Sequence, residues 1–105
     1  MNKILYIDTS SNEKIIVALK INGKVTEIKS PIDKQKAQKV LPLIDKLLTK
    51  CGLKLEELTG IEVKTGPGSF TGLRVGISVA NALSYVLKIP INNKKVGESE
   101  IPTYE

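Results

Sequence analysis

A glycine-rich turn at residues 66–74 is the segment of this 105-residue chain whose residue types most clearly suggest a functional site. Gly66 and Gly68 flank Pro67, so the backbone can turn sharply and take positive φ on either side of the proline. Ser69 stands where a helix N-cap belongs, and its hydroxyl can accept from the first unpaired amides. Such amides attract anions, so the turn could hold a phosphate. The alternative is a glycine turn that only docks a helix tightly on a sheet.

The common phosphate-binding loops do not fit these residues. A Walker A loop requires a lysine directly after its last glycine, and no lysine follows the glycines here. A dinucleotide-binding fingerprint requires Gly-x-Gly-x-x-Gly, and Gly72 comes one position too late. Both of these loop types are therefore rejected.

A second polar turn, at residues 8–11, follows the first apolar segment. Facing a phosphate, Asp8 could orient a metal-bound water while Thr9 and Ser10 donate to phosphate oxygens. The alternative is a capped turn whose side-chain oxygens satisfy its own amides. The candidate nucleotide-binding residues of the two turns are Asp8, Thr9, Ser10, Gly66, Gly68 and Ser69.

Independent catalysis is not expected from these residue types. The chain contains no histidine, so Ser69 has no imidazole to activate it as a nucleophile. Its single cysteine, Cys51, falls at an apolar helical position and is expected in or near the core. Because the acidic residues are scattered, we expect no catalytic residue, no metal site and no resident cofactor.

Composition limits the class of protein. Hydrophobic residues make up 41% and aromatic residues 4%, which predicts one globular domain with an aliphatic core. The net charge of +5 comes from dispersed lysines, which favours a solvated surface over a weak, salt-sensitive tRNA contact. Without a secretion signal or a long apolar run, a cytoplasmic protein with no membrane contact is expected.

The apolar periodicity predicts an α/β fold. Residues 4–7, 15–21 and 25–28 are expected to form three antiparallel strands, with a hairpin turn at Asn22 and Gly23. A first helix, for which Asp33 is a candidate cap, ends at Gly52. It is followed by a strand at 61–63 and by a second helix from Ser69 to about residue 88. The predicted order after the three strands is therefore helix, strand, helix, with a mixed sheet. Residues 1–91 form the domain, including a short strand at 89–91, and residues 92–105 are expected to be a loose polar tail.

The second helix is apolar around most of its circumference, so it must be covered on more than one side. The sheet and the first helix are expected to bury one side of this helix, and a partner protein or a second copy of the chain is expected to bury another. Gly72, Gly76 and Ala80 form a ridge of small residues, for which internal packing is favoured over a partner contact. The predicted polar stripe contains Arg74, Ser78, Asn81, Tyr85 and Lys88.

Three motifs together resemble the TsaB (YeaZ) family, bacterial proteins needed to make threonylcarbamoyladenosine in tRNA. They are PGSFTGLRVG at 67–76, ILYIDTSS at 4–11 and QKVLPLI at 38–44. They occur in the family's order over residues 3–91, which correspond to the first half of a usual family member.

The resemblance implies one lobe of the ribonuclease-H-like, actin-like ATPase (ASKHA) architecture. It also implies a non-catalytic subunit that pairs with the homologous catalytic subunit TsaD through its two helices, recruits the ATPase TsaE and forms homodimers. Contact with tRNA would be indirect or weak, and weak ATP or ADP binding would be an ancestral trace. The partner interface, with the small-residue ridge included, would comprise Lys36, Lys39, Val40, Leu43, Phe70, Gly72, Leu73, Arg74, Gly76, Ile77, Ala80 and Tyr85.

Two other functions stay open at this point. One is a nucleotide-binding lobe of phosphotransferase type that uses Asp8, Thr9 and the turn at 66–69. The other is a homo-oligomeric protein that kept the fold and changed its role.

Overall fold

The computed structural model describes residues 2–31 and 36–101, without the side chains of Lys36, Ala37 and Phe70. The candidate cap Asp33 and the residues after 101 lie outside these ranges. The elements in chain order are β1 (Lys3–Asp8), β2 (Lys14–Ile21), β3 (Lys24–Pro31), α1 (Lys36–Cys51), a 3-10 turn (Leu55–Glu57), β4 (Gly60–Val63) and α2 (Phe70–Leu87). The predicted α/β order is confirmed.

The four strands form one mixed sheet in the order β3-β2-β1-β4. The pairs β1–β2 and β2–β3 are antiparallel, and β4 is parallel to β1. Asn22 and Gly23 have φ of 52° and 81°, as a two-residue hairpin of type I′ requires. β3 extends past its predicted end at residue 28 to Pro31, which an edge strand tolerates because the missing amide faces no neighbouring strand.

One face of the sheet forms the core, because apolar residues alternate along the strands and are aligned by the register. Leu5 pairs with Leu19 and Ile61, while Ile7 pairs with Val17 and Val63. All six side chains are buried. On this face α1 packs over β2 and β3, α2 packs over β1 and β4, and the helices contact each other.

The predicted helix stop at Gly52 is confirmed. With φ of 69°, Gly52 donates its amide to the Thr49 carbonyl at 3.1 Å, and the Leu53 amide reaches the Leu48 carbonyl at 2.9 Å. These paired bonds form a Schellman motif, which satisfies the last carbonyls of α1.

The segment after α2 is not the loose tail that its polar composition predicted, at least as far as residue 101. The side-chain oxygen of Asn92 accepts from the Val63 amide at 2.8 Å, and its side-chain nitrogen donates to the Val63 carbonyl at 3.1 Å. The Asn81 amide group makes two similar bonds to the Glu100 backbone. The strand predicted at 89–91 is reduced to one parallel bridge, from Ile91 to Ile61. Side-chain amides thus fix this segment without a periodic pattern.

Candidate functional site

The polar turn after β1 and the glycine-rich turn before α2 contact each other directly. The Ser69 amide donates to the Ser10 carbonyl at 2.9 Å. A Cβ at Gly68 would lie 2.6 Å from the Ser10 Cβ, so only glycine fits. Positive φ occurs at Gly66, at 144°, whereas Gly68 is needed for this close approach and not for its φ. The two turns that contain the six residues proposed for nucleotide binding are therefore adjacent. Between them, the backbone of residues 68–69 packs directly against Ser10.

Asp8 is engaged by its own turn. Its Oδ1 accepts from the Ser10 amide at 2.9 Å and from the Ser10 hydroxyl at 2.6 Å. Its Oδ2 accepts from the Tyr6 hydroxyl at 3.4 Å. This is the capped-turn alternative from the sequence, in which side-chain oxygens satisfy local donors.

Thr9 is fully buried and its hydroxyl is bonded to α2. Thr9 Oγ1 donates to the Gly72 carbonyl and accepts from the Gly76 amide, the latter at 3.1 Å. In a regular α-helix that amide and that carbonyl pair directly, so the hydroxyl stands between two helical partners. In this structure the Thr9 hydroxyl proton is used within the fold, so donation from Thr9 to a phosphate stays a prediction that would require this bond to break.

The N-terminus of α2 begins as predicted. Ser69 is the N-cap, and its hydroxyl accepts from the Gly72 amide at 3.3 Å. The Leu73 amide donates to the Ser69 carbonyl at 2.9 Å. Together with Thr9, these bonds make the two turns a joint between β1 and α2.

The residues predicted to contact a partner divide into two groups. Arg74 and Tyr85 are exposed, the latter by 78%, and Lys39 and Leu43 are half-buried. The other described residues lie on the core-facing arcs of α1 and α2, toward the sheet or the opposing helix. These buried residues are Val40, Gly72, Leu73, Gly76, Ile77 and Ala80. Their burial leaves them little surface for a partner in this conformation, and the predicted contact stays a prediction for them.

A further apolar surface lies on the side of α2 that faces away from its core residues. On α2 it consists of Val75 and Val79, which are partly buried, and of Ala82 and Val86, which are exposed. Leu41 of α1, which lines a groove with Leu83 of α2, is counted with them, and we call these five residues the two-helix patch. Leu41 and Val86 are 55% and 71% exposed. The α2 members are spaced by four, three and four residues, so they follow one side of the helix. The apolar excess of α2 indicated such a surface, but the helical wheel did not show which of its apolar residues stay exposed.

The opposite face of the sheet carries an ion pair and an aromatic side chain. Lys20 Nζ lies 2.7 Å from Glu62 Oε1 and 5.4 Å from the centroid of the Tyr6 ring. Burial raises the pKa of the Tyr6 hydroxyl, and the nearby carboxylate of Asp8 raises it further. This face therefore contains paired charges, in contrast to the two-helix patch.

Within residues 2–31 and 36–101, no group of three or more histidine, cysteine or acidic side chains could hold a metal ion. The helices of the same ranges include none that is both long enough and apolar enough to cross a membrane.

The mixed sheet, with two helices on one face and the first strand's turn joined to the last helix, defines an α/β lobe of the ribonuclease-H-like, actin-like class. The solved structure of YeaZ from Pseudomonas aeruginosa superposes with a TM-score of 0.82 at 34% identity, covering 90% of this chain and 44% of that one. The family model described as "TsaD: tRNA N6-adenosine threonylcarbamoyltransferase" matches residues 25–93. The chain belongs to this family.

Curated relatives carry related names. The "tRNA threonylcarbamoyladenosine biosynthesis protein TsaB" of Haemophilus influenzae is 36% identical over 84% of this chain, and that of Bacillus subtilis is 35% identical over 85%. The "tRNA N6-adenosine threonylcarbamoyltransferase" of Trichlorobacter lovleyi is 31% identical over 83% of the chain. The chain spans 37% and 39% of the length of the first two relatives. The similarity therefore concerns one part of a longer family member.

Proposed function

We propose that this chain is a non-catalytic interaction subunit in the biosynthesis of threonylcarbamoyladenosine in tRNA. The observation that carries the proposal is the two-helix patch, an apolar surface on the two helices that includes the exposed side chains of Leu41 and Val86. Apolar surface that the described residues leave exposed is typical of a protein interface. The names of the relatives support a place in this biosynthesis, and the patch supports a role in protein interaction.

The partner we propose is a TsaD-like catalytic subunit, bound through α1 and α2. Two adjacent helices with an apolar seam suit packing against two helices of a homologous lobe, because their ridges and grooves can interdigitate. Arg74 and Tyr85 border the patch and provide a polar rim. The same surface would serve a homodimer when the catalytic subunit is absent. A TsaE-like ATPase would join this assembly.

The joint between the turns supports an accessory role over a phosphotransferase role. Asp8 accepts hydrogen bonds from Ser10, and the Thr9 hydroxyl is bonded to α2. A nucleotide would have to displace these contacts before it could reach the side chains proposed to bind it. Without a histidine, no imidazole is present as a general base.

The test is co-expression of the chain with a TsaD-like subunit of the same cell, followed by size-exclusion chromatography. We expect the two proteins to elute together, and we expect no phosphate release from ATP by the purified chain alone. Separate elution at micromolar concentrations would refute the interaction. ATP turnover that is lost in Asp8→Ala would instead establish the phosphotransferase function.

A further inference from the structure

β3 forms an open edge of the sheet within the part of the chain that the structure describes. The strand order is β3-β2-β1-β4, so β3 (Lys24–Pro31) has a hydrogen-bonded neighbour on one side only. The other edge is partly covered, since Ile91 bridges to Ile61 and Asn92 pairs with Val63. An edge strand presents a row of unpaired amides and carbonyls that another extended chain can join.

The hairpin between β2 and β3 determines which backbone groups of β3 face outward. In a two-residue hairpin, the residues on either side of the turn, here Ile21 and Lys24, form a hydrogen-bonded pair. Since the pattern alternates along an antiparallel ladder, the backbone groups of Val25, Glu27 and Lys29 point away from β2. Among the described residues, none accepts a hydrogen bond from these three amides. Three donors are therefore available to an added strand.

α1 runs alongside this edge in the opposite direction to β3. Near the start of α1, Lys39 donates to the Pro31 carbonyl at 3.2 Å. At its end, Lys50 lines a shallow cavity of about 630 Å³ together with Lys24 of β3. Lys39, Lys46 and Lys50 lie within an arc of about 40° on the helical wheel. Lys46 therefore lies on the same side of α1, above the edge of the sheet.

The charges beside this edge favour an acidic occupant. Lys46 and Lys50 are exposed, and neither belongs to an ion pair within the described ranges. They are four residues apart, a spacing at which like charges on a helix repel. Asp45, the acidic residue of α1, lines the groove toward α2 instead. On the other face of β3, Glu27 and Lys29 are paired at 3.4 Å, so that face has no excess charge.

We propose that β3 binds an extended acidic segment of another protein, which joins the sheet as an antiparallel strand. Backbone hydrogen bonds to the outward groups of β3 supply affinity, and alternate side chains supply specificity. An added strand lies about 4.8 Å from β3, so every second side chain points along the lysine-bearing side of α1. Carboxylates at those positions can pair with Lys46 and Lys50. The antiparallel direction is preferred because its hydrogen bonds are slightly more favourable.

A second copy of this chain is a less suitable occupant of the edge. Pairing of two β3 strands about a two-fold axis brings Lys46 and Lys50 of both copies to the same seam. The net charge of +5 on each copy adds to this repulsion. Pro31 also lacks an amide, which shortens a symmetric ladder.

The test uses short synthetic peptides in which threonine alternates with glutamate or, as the control, with lysine. NMR of the isotope-labelled chain measures the hydrogen exchange of individual amides with and without each peptide. We expect the glutamate peptide to slow exchange at Val25, Glu27 and Lys29 at least about tenfold, since these amides become bonded. Thr26 and Ile28, whose amides face β2, should change little, and the lysine peptide should protect none of the five.

A charge reversal provides a second measurement. The variant is Lys46→Glu with Lys50→Glu, and the control is Lys64→Glu with Lys95→Glu, two exposed lysines elsewhere. In calorimetric titration, the first variant should bind the glutamate peptide at least about tenfold more weakly and the lysine peptide more tightly than the unsubstituted chain does. The control should change either affinity by less than about twofold. Thermal melts confirm that both variants fold.

Four results would overturn the inference. The first is no binding of the glutamate peptide, and the second is binding without slower exchange at the three outward amides, which would indicate contact through charge alone. Protection that grows with protein concentration in the absence of peptide would assign the edge to a second copy. Protection by a tRNA transcript and not by the peptide would assign it to nucleic acid.

Binding at β3 is separate from the interaction proposed for the two-helix patch. That patch lies across α1 and α2, whereas β3 lies at the sheet edge on the other side of α1. The variant Lys46→Glu with Lys50→Glu should therefore still bind the TsaD-like subunit. Failure of the peptide to bind and failure of that subunit to bind are distinguishable results.

Discussion

Thr9 and Gly76 are held together by a hydrogen bond of 3.1 Å from the Gly76 amide to the Thr9 hydroxyl. The same hydroxyl donates to the Gly72 carbonyl, so the end of β1 is attached to the first half of α2. This joint fixes the helix that carries most of the two-helix patch. The residues that resemble a nucleotide-binding site thus have a structural role in positioning the proposed interaction surface.

Gly76→Ala should destabilise the protein. A Cβ at this position would lie 2.4 Å from Thr9 Oγ1, so the methyl group must displace the hydroxyl from its buried bonds. The expected loss is about 1–3 kcal/mol in the free energy of unfolding, as for other overpacked cores. Urea denaturation measures it, with Ser78→Ala as an exposed control on the same helix. A gain in stability, as helix propensity alone predicts, would contradict the joint.

Asn92→Ala should weaken the attachment of the C-terminal segment to β4. The Asn92 side chain pairs with both the amide and the carbonyl of Val63, and its removal leaves those groups without their partner. We expect a loss of about 1–3 kcal/mol and faster hydrogen exchange at the Val63 amide. Asn93→Ala is the matched control, because Asn92 and Asn93 both have positive φ, at 49° and 61°. Equal losses in the two variants would assign the effect to backbone conformation alone.

Tyr6→Phe should change how stability depends on alkaline pH. The pKa of Tyr6 is raised in the folded state by burial first and then by Asp8. The unfolded chain therefore loses this proton first as the pH rises above about 10, and the folded state becomes less stable. Below that pH the contribution of the protonated tyrosine is fully present. Denaturant unfolding at several pH values should show a steeper decline above pH 10 for the unsubstituted protein than for Tyr6→Phe. Parallel curves would refute the shift.

Much of the fold follows from local patterns in the sequence. The hairpin at Asn22 and Gly23, the stop at Gly52 and the cap at Ser69 each depend on one or two residues, so they could be predicted directly. The C-terminal segment could not, because Asn92 and Asn81 fix it through long-range bonds between side chains and backbone. Periodicity contains no information about such bonds.

The candidate site was predicted only in part, for a related reason. The sequence indicated that residues 8–11 and 66–69 are polar turns, but not that Ser10 packs directly against Gly68. A helical wheel likewise shows that α2 has too many apolar residues for one buried side, without showing which side stays exposed. That choice depends on how α1 and the sheet pack, which places Ile77 inside and Val86 outside.

The central claim, that the two-helix patch binds a protein partner, is tested most directly by calorimetric titration with the TsaD-like subunit. The variants are Val86→Arg, in the patch, and Val25→Arg, on the polar sheet face, where the valine is 55% exposed. We expect Val86→Arg to weaken binding at least about tenfold, since a buried unpaired charge is costly at an interface, while Val25→Arg leaves it unchanged. Unchanged affinity in Val86→Arg, or an equal loss in both variants, would contradict the claim.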